Sequence, residues 1–170
     1  MVFSPLTART KCQKGCALPV KHAYYYDFPV GRIYIAEDNG GITDVTMHPV
    51  DNAIEKETPL ILQAADMLRE YFDGKRKNFD GLRLNAEGTV FQRKAWNALS
   101  TIPYGQTRTY KEQAEAIGNI KACRAVGSAN SKNPISIIIP CHRVIGSNKS
   151  LTGYAGGLDV KKALLELEQK

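Results

Sequence analysis

The chain has 170 residues, of which 43% are hydrophobic and 24% are charged, and these values indicate a soluble globular protein of one or two domains. No apolar run is long enough to span a membrane, and the N-terminus lacks the apolar core of a signal peptide. Four cysteines in a chain of this size do not make a disulfide framework. We therefore expect a cytoplasmic protein, or a nuclear one in a eukaryote, without a membrane partner. Residues 1–85 hold 11 Lys/Arg and 11 Asp/Glu, so the net charge of +6 lies wholly in residues 86–170, where it indicates either a polyanionic partner such as nucleic acid or a basic face that is only solvated.

Residues 1–20 form an N-terminal extension of unclear role. Cys12 and Cys16 are spaced C-x3-C and His22 follows them, which provides three possible zinc ligands. A structural zinc ion takes four ligands, and no fourth is evident. A frayed terminus is the simpler interpretation, and we predict no metal.

The pattern over residues 21–47 is typical of an antiparallel β meander. Ala23–Tyr26 and Ile33–Ala36 are apolar and aromatic, as strands are. Asn39-Gly40 is a strong signal for a two-residue hairpin turn. A third strand is predicted through Ile42, Val45 and Met47.

A helix is predicted after the meander. Thr58 suits the N-cap, Pro59 suits the first helical position, apolar residues recur at helical spacing, and Gly74 ends the helix. Strands with one covering helix make a small α/β domain, which we assign to residues 21–85. Nothing in it indicates chemistry. Turn residues mark the boundary to a second domain, residues 86–170.

Two short helices in the second domain match the helix-turn-helix pattern. A capping box of Thr89 and Gln92 first opens a longer helix. Thr109 and Glu112 form another capping box, which begins the first short helix. Gly118 ends this helix, and the next helix is predicted from about residue 121 to 130.

The second short helix combines positive charge with small side chains. Lys121, Arg124 and Lys132 are charged, no acidic residue lies among them, and five residues are Ala, Gly or Ser. Small side chains allow close approach to another surface, which suits the narrow minor groove of DNA. A helix packed tightly in the core needs small residues too, so both interpretations hold in part.

The apolar run Ile137–Ile145 has the most distinctive chemistry. Three isoleucines lead into Pro140, Cys141 and His142, which predicts a buried strand that Pro140 interrupts, with a rigid Cys141 at its end. Neighbours on a strand point to opposite faces, so we expect a water molecule, and no direct contact, between Cys141 and His142. By itself the run also fits a cysteine that only fills the core.

A loop rich in Gly, Ser and Asn follows over residues 146–157 and contains Tyr154. Such a loop can form a wing or a lid over a site. The last predicted helix begins near Leu158 and ends near Glu168.

These residues, in this order, resemble the O6-alkylguanine-DNA alkyltransferases, or methylated-DNA–protein-cysteine methyltransferases. The resemblance covers about residues 88–168, and its most specific element is Pro140-Cys141-His142-Arg143-Val144. The other elements are Phe91-Gln92 with Trp96, Ile102-Pro103-Tyr104-Gly105, Thr109-Tyr110, Arg124-Ala125-Val126-Gly127, Asn133-Pro134, Gly153-Tyr154, and Leu164-Leu165 with Glu168. The resemblance implies an α+β fold, in which a ribonuclease-H-like N-terminal α/β domain precedes a mostly helical domain with a winged helix-turn-helix.

The resemblance also implies the catalytic residues. Cys141 is the acceptor nucleophile, His142 deprotonates it through a water molecule, and Glu168 orients the histidine. Asn133 is the hinge that ties the helix-turn-helix to the site. The chemistry agrees, because displacement at an alkyl carbon favours a soft thiolate, and an adjacent base or cation must lower the thiol pKa.

Further residues are implied to bind DNA and the target base. Arg124 enters the duplex and fills the space of the flipped nucleotide, while Tyr110 crowds the phosphate and donates to the guanine. The backbone at Val144 and the loop around Tyr154 line the pocket. A base inside a duplex is out of reach of an enzyme, so flipping is required.

Two positions depart from the pattern of the family. Ser136 stands where many relatives have a second proline, so a pocket wall differs and acceptance of bulky alkyl groups is open. Ala155 stands where some relatives have serine, and its backbone N–H can still reach the O6 atom. The sequence leaves open the preferred alkyl group and any activity on O4-alkylthymine.

The implied function is single-turnover DNA repair, with no cofactor because the alkyl group stays on the protein. The implied partner is double-stranded DNA, bound in the minor groove largely independently of sequence, and we expect a monomer. One alternative is a non-catalytic binder of alkylguanine, although relatives of that kind lack the cysteine. Another is a cysteine hydrolase, but those place their histidine far from the cysteine in sequence.

Overall fold

The computed structural model describes residues 20–170, so Cys12 and Cys16 lie outside the described part of the chain. A four-stranded sheet with the order β3-β2-β1-β4 forms the N-terminal domain, and two short strands pair in the C-terminal domain. The strands are β1 His22–Phe28, β2 Gly31–Asp38, β3 Gly41–Thr46, β4 Ile54–Glu55, β5 Arg108–Thr109 and β6 Val144–Ile145. The helices are α1 Pro59–Phe72, α2 Val90–Ser100, α3 Tyr110–Ala116, α4 Cys123–Ser131 and α5 Leu158–Leu167.

The predicted meander is confirmed, since β1, β2 and β3 pair antiparallel in sequence order. Asn39 and Gly40 form the two-residue turn between β2 and β3, and their φ angles of 52° and 70° are the positive values that a tight hairpin needs. The parallel strand β4, which extends the sheet beside β1, was not predicted. His22 lies opposite Glu37 at 3.9 Å, and no group of three potential metal ligands occurs within residues 20–170.

Helix α1 covers one face of the sheet, as its apolar spacing predicts. The Thr58 side chain accepts a hydrogen bond from the Ile61 N–H, and Pro59 is the first helical residue. Ile61, Leu68 and Tyr71 are fully buried against Ile33, Ile35, Ile42 and Val45 of the sheet.

The two domains share one apolar core, and the segment that precedes Cys141 joins the edge of β3. The Val45 N–H donates to the Pro134 carbonyl at 2.8 Å, and the Ser136 N–H donates to the Val45 carbonyl at 2.9 Å. On the same strand, the Ile42 N–H donates to the Arg83 carbonyl at 2.8 Å, so the connection between the domains also packs on the sheet.

The predicted helix-turn-helix consists of α3 and α4, with a 3₁₀ turn, Ile120–Ala122, before α4. Both predicted capping boxes are confirmed, at Thr89 and at Thr109. Buried Gln113 and Asn130 join the two helices by reciprocal amide hydrogen bonds of 3.0 and 2.7 Å. The pair satisfies both amides in the core, as buried polar groups require, and fixes how α3 and α4 face each other.

The predicted strand before Cys141 is wrong. Residues 136–139 form turns, Ile137 has a φ of 70°, and Cys141–Arg143 is a 3₁₀ turn. The N–H groups bond locally instead, as from Ile139 to the Ile135 carbonyl at 2.9 Å. Three consecutive isoleucines indicate burial, and burial alone does not distinguish a strand from a compact turn. No helix within residues 20–170 has both the length and the apolar character to cross a membrane.

Candidate active site

Cys141 lies at the start of the 3₁₀ turn with only 8% of its surface exposed. Burial raises the pKa of its thiol, whereas a hydrogen bond from Asn133 and the nearby charge of Lys161 act to lower it. The Asn133 Nδ2 atom lies 3.3 Å from the sulfur. The site is therefore arranged to stabilise a thiolate once the proton has left.

Glu168 follows α5 and is the centre of a buried hydrogen-bond cluster. Its carboxylate accepts five hydrogen bonds, from Tyr71 Oη at 2.7 Å, His142 Nε2 at 2.9 Å, Arg143 Nε and Nη2 at 2.9 Å each, and Gly105 N at 3.1 Å. Burial alone would raise the pKa of Glu168, but the hydrogen bonds from His142 and Arg143 outweigh it and hold the pKa at about 2. Glu168 is therefore ionised at neutral pH.

The ionised Glu168 determines the tautomer of His142. An ionised carboxylate can only accept hydrogen bonds, so the hydrogen in the bond between Glu168 and His142 is carried by Nε2 of His142. The Nδ1 atom then presents a lone pair, and it is buried without a partner within the described chain. Burial lowers the pKa of His142, against the effect of Glu168. A neutral imidazole with a free Nδ1 is suited to act as a base.

The prediction of no direct contact between Cys141 and His142 rested on a strand that does not form. Within residues 20–170, no hydrogen bond joins the Cys141 thiol to the His142 ring. Glu168 holds Nε2, so Nδ1 is the only ring nitrogen left to accept a proton. A water molecule between the sulfur and Nδ1 stays a prediction.

Sequence reasoning missed Arg143 as a site residue. Its guanidinium binds the Glu168 carboxylate through two hydrogen bonds and donates a third to the Ile102 carbonyl at 2.6 Å. Bidentate pairing of this kind fixes the orientation of both groups. The signal in the sequence was an arginine between apolar neighbours, immediately after His142.

Lys161 is a second missed residue. Its ammonium group is fully buried and donates to the Val144 carbonyl at 2.6 Å and the Thr152 carbonyl at 2.8 Å. Burial lowers its pKa, and the proximity of the Cys141 sulfur opposes that effect. The sequence did carry a signal, because Lys161 lies among the apolar residues Leu158, Leu164 and Leu165 at helical spacing, where ionisable residues are uncommon.

Asn133 connects the end of α4 to the segment before Cys141. Its side chain donates to the Ile139 carbonyl at 2.8 Å and accepts from the Ile135 N–H at 3.1 Å, in addition to its contact with the Cys141 sulfur. One amide therefore spans the turn that carries the thiol. The hinge role of Asn133 stays a prediction.

The loop around Tyr154 lies beside Cys141 and is backed by the N-terminal domain. The Tyr154 hydroxyl is buried without a partner within the described residues. Ser136 donates through Oγ to the Val45 carbonyl at 2.6 Å, which ties this pocket wall to β3. Ala155 is exposed, whereas a Cβ at Gly156 would lie 2.5 Å from the Met47 sulfur, so the loop packs closely on the Met47 side chain there.

The two remaining predicted residues lie nearer the surface. Tyr110 begins α3, contacts Gly127 of α4, and donates through its hydroxyl to the Thr152 carbonyl at 3.3 Å. Since Lys161 donates to the same carbonyl, the helix-turn-helix and the loop meet the buried site at one point. Arg124 is exposed on α4 and forms no ion pair within residues 20–170.

Two family models match the chain. The model described as the ribonuclease-like domain of 6-O-methylguanine DNA methyltransferase matches residues 21–86. The model described as the DNA binding domain of the same family matches residues 90–170.

Individual relatives agree with the family models. The methylated-DNA–protein-cysteine methyltransferase of Methanosarcina acetivorans is 50% identical over 154 residues, and the match covers 85% of this chain and 97% of that protein. The constitutive methylated-DNA–protein-cysteine methyltransferase of Bacillus subtilis is 46% identical over 151 residues, which cover 83% and 91% of the two chains.

Solved structures show the same similarity. The O6-methylguanine methyltransferase of Mycobacterium tuberculosis superposes with a TM-score of 0.79 at 43% identity and covers 88% of this chain and 93% of its own. The Mycobacterium tuberculosis OGT structure in complex with DNA gives a TM-score of 0.81 at 45% identity, with 87% and 92% covered. The predicted order of a ribonuclease-like sheet domain and a mostly helical DNA-binding domain is thereby confirmed.

Proposed function

The chain belongs to the 6-O-methylguanine DNA methyltransferase family and is a methylated-DNA–protein-cysteine methyltransferase, and we propose that Cys141 is the residue that accepts the methyl group from O6-methylguanine in DNA. The observation that supports this assignment is that His142, the neighbour of Cys141 in the chain, has a buried Nδ1 without a partner within the described residues while Glu168 holds its Nε2. Cys123, the other described cysteine, is half-exposed, donates to the Ile120 carbonyl, and has no such base.

Transfer begins with loss of the thiol proton. It passes from Cys141 through a water molecule to Nδ1 of His142, and the resulting imidazolium is stabilised by the carboxylate of Glu168. Asn133 and Lys161 favour the thiolate that remains. The starting pair is neutral, because burial raises the pKa of the thiol and lowers that of the imidazole.

The thiolate then displaces guanine from the methyl carbon. A sulfur–carbon bond forms, the bond between that carbon and O6 breaks, and its electron pair stays on the guanine. The guanine anion then takes up one proton. The imidazolium of His142 carries the one proton that the thiol lost, so protons and charge balance over the whole reaction. The thioether left on Cys141 has no leaving route, so each molecule reacts once and needs no cofactor.

Duplex DNA is the partner that the surface of the C-terminal domain favours. Helix α4 is exposed at Arg124 and carries small residues, so it can lie close to the minor groove. Arg124 occupies the gap in the base stack, and the target guanine enters the pocket beside Tyr110, Tyr154 and the Val144 backbone. One copy of the chain holds all of these residues, so a monomer suffices.

Mass spectrometry after mixing with an O6-methylguanine duplex tests the proposal. The wild type should gain one methyl group, on Cys141, and then stop. Cys141→Ser should lose transfer by at least about a thousandfold, since a hydroxyl is a poor nucleophile near neutral pH, and should bind DNA unchanged. Cys123→Ser is the matched control and should react as the wild type does. A methyl group on Cys123, or turnover without an adduct, would refute the assignment.

A further inference from the structure

We propose that Tyr71, on helix α1 of the N-terminal domain, is a positioning residue of methyl transfer, because its hydroxyl holds the Glu168 oxygen that orients His142. This inference rests on the proposed roles of Cys141, His142 and Glu168. It gives the N-terminal domain a part in the chemistry, although nothing in the sequence of that domain indicates one.

The contact is short, buried and distant in sequence. Tyr71 Oη donates to Glu168 Oε1 at 2.7 Å, and Tyr71 has no exposed surface. The same oxygen accepts from His142 Nε2 at 2.9 Å and from Arg143 Nη2 at 2.9 Å. Tyr71 therefore acts on the one carboxylate oxygen that faces the histidine, while Gly105 N–H bonds the other oxygen.

The position of the hydroxyl is fixed by aromatic packing. The Tyr71 ring lies edge-on to Phe72 and Tyr104, with centroids at 5.4 and 6.0 Å, and its centroid is 5.7 Å from that of Phe79. Helix α1 is itself capped by Thr58 and buried against the sheet. Such close packing restricts the ring, so its hydroxyl is held against Glu168 Oε1.

A donor on Glu168 Oε1 tunes the base as well as placing it. Oε1 stabilises the imidazolium that His142 becomes when it takes the thiol proton. A hydrogen bond from Tyr71 withdraws charge from that oxygen, so the imidazolium is stabilised less and His142 stays neutral to lower pH. Without the hydroxyl, Glu168 becomes the stronger partner, and His142 is protonated and unable to accept a proton at a higher pH.

Tyr71→Phe removes the hydroxyl and keeps the ring. The acid limb is the part of the pH profile in which the single-turnover rate falls as the pH decreases. At saturating duplex, we expect the midpoint of this limb to move up by about half a pH unit, which is a fraction of the full effect of a hydrogen bond to a carboxylate. DNA affinity should not change. A limb that stays in place or moves down would overturn the proposal.

Tyr104→Phe is the matched control. Tyr104 packs against Tyr71, but its hydroxyl donates to the Leu167 carbonyl at 3.3 Å and makes no hydrogen bond to Glu168. Removal of the Tyr104 hydroxyl changes the same aromatic cluster but no hydrogen bond to Glu168, so it should leave the acid limb where it is. An equal shift in both variants would show that packing, and not the hydroxyl on Glu168, sets the limb, which also overturns the proposal.

Two further measurements separate this proposal from the assignment of Cys141. The His142 ring can be titrated by NMR without DNA, and its pKa should rise in Tyr71→Phe whichever residue accepts the methyl group. In a double-mutant cycle, Tyr71→Phe should move the acid limb no further when Glu168→Gln is already present, because both changes act through one oxygen. An unchanged His142 pKa, or two independent shifts, would contradict the role of Tyr71.

Discussion

Glu168 is a single ionised carboxylate in the interior, and its donors come from three separate parts of the chain. Tyr71 belongs to α1, Gly105 to a turn after α2, and His142 and Arg143 to the 3₁₀ turn, while Glu168 itself follows α5. Removing a charge from such a buried pair leaves the partner uncompensated, which is strongly destabilising. Glu168, which we propose orients the base, should therefore also be a main determinant of acid stability.

Glu168→Gln tests this link through the pH dependence of stability. The folded-state pKa of about 2 lies below the unfolded value, so the charge stabilises the fold above about pH 4.5, and the contribution is lost as the pH falls through the folded pKa. The wild type should lose about 3 kcal/mol of unfolding free energy across that window. The variant should begin roughly 3–5 kcal/mol less stable at pH 7, because Arg143 lacks a counter-charge.

The two stability curves should therefore converge between pH 4.5 and pH 2, as measured by urea unfolding. Glu166→Gln is the control, because Glu166 is exposed on the same helix and pairs only with Lys162 at 3.8 Å. It should follow the wild type at each pH. A constant gap between wild type and Glu168→Gln would show that the carboxylate is not preferentially ionised in the folded state.

At the scale of elements, α4 has one buried face and one exposed face. Val126, Ala129 and Asn130 are buried, whereas Arg124 and Ala125 are exposed. The core interpretation of the small residues is confirmed at Ala129, and close approach of the exposed face to DNA stays a prediction. Arg124 is the long side chain on the exposed face, which makes it the candidate to fill the gap of a flipped nucleotide with its planar guanidinium.

Arg124→Ala should slow repair of duplex DNA strongly, by at least about tenfold, since flipping costs a few kcal/mol that the side chain helps to offset. Reaction with free O6-benzylguanine, if that compound is accepted, should change only slightly, because it needs no flipping. The measurement is the single-turnover rate at saturating duplex.

Lys121→Ala is the matched control for Arg124. Lys121 is an exposed cation in the 3₁₀ turn before α4, so its loss should weaken DNA affinity and leave the saturated rate unchanged. The same behaviour in Arg124→Ala would make Arg124 one more phosphate contact.

For the whole molecule, charge is distributed less simply than the sequence count indicates. Two of the 12 basic residues in the C-terminal half, Arg143 and Lys161, are interior. Arg143 is balanced by Glu168, and Lys161 is bound to backbone carbonyls. The other basic residues of this half, Arg93, Lys94, Arg108, Lys111, Lys121, Arg124, Lys132, Lys149, Lys162 and Lys170, reach the surface.

DNA binding should accordingly be electrostatic and largely independent of sequence. The affinity should fall steeply between low and physiological salt, with a slope of about −0.9 for each phosphate contact. Lys132→Ala should make the slope shallower by about one contact, whereas Lys170→Ala, near Phe72 and Gly74 at the end of α1, should leave it unchanged. A flat salt titration by fluorescence anisotropy would contradict this account.

Local sequence was sufficient for most helices and turns. The Asn39-Gly40 hairpin, the Thr58-Pro59 helix start and the capping boxes at Thr89 and Thr109 all formed as predicted. These features depend on interactions within about four residues, which the sequence displays directly. The motif around Cys141 could be recognised in the same way, because its residues are consecutive in the sequence.

Tertiary contacts decided the rest. The isoleucines before Cys141 form turns because Ser136 and Pro134 bond to Val45, about 90 residues earlier, and no local pattern contains that partner. Tyr71 looked like one more apolar residue of α1 until the fold brought its hydroxyl to Glu168, 97 residues away. Arg143 and Lys161 counted as surface charge for the same reason. Burial and hydrogen-bond partners are defined only by the tertiary structure. The environment of an ionisable residue therefore cannot be read from its neighbours in sequence when its partners are distant in the chain.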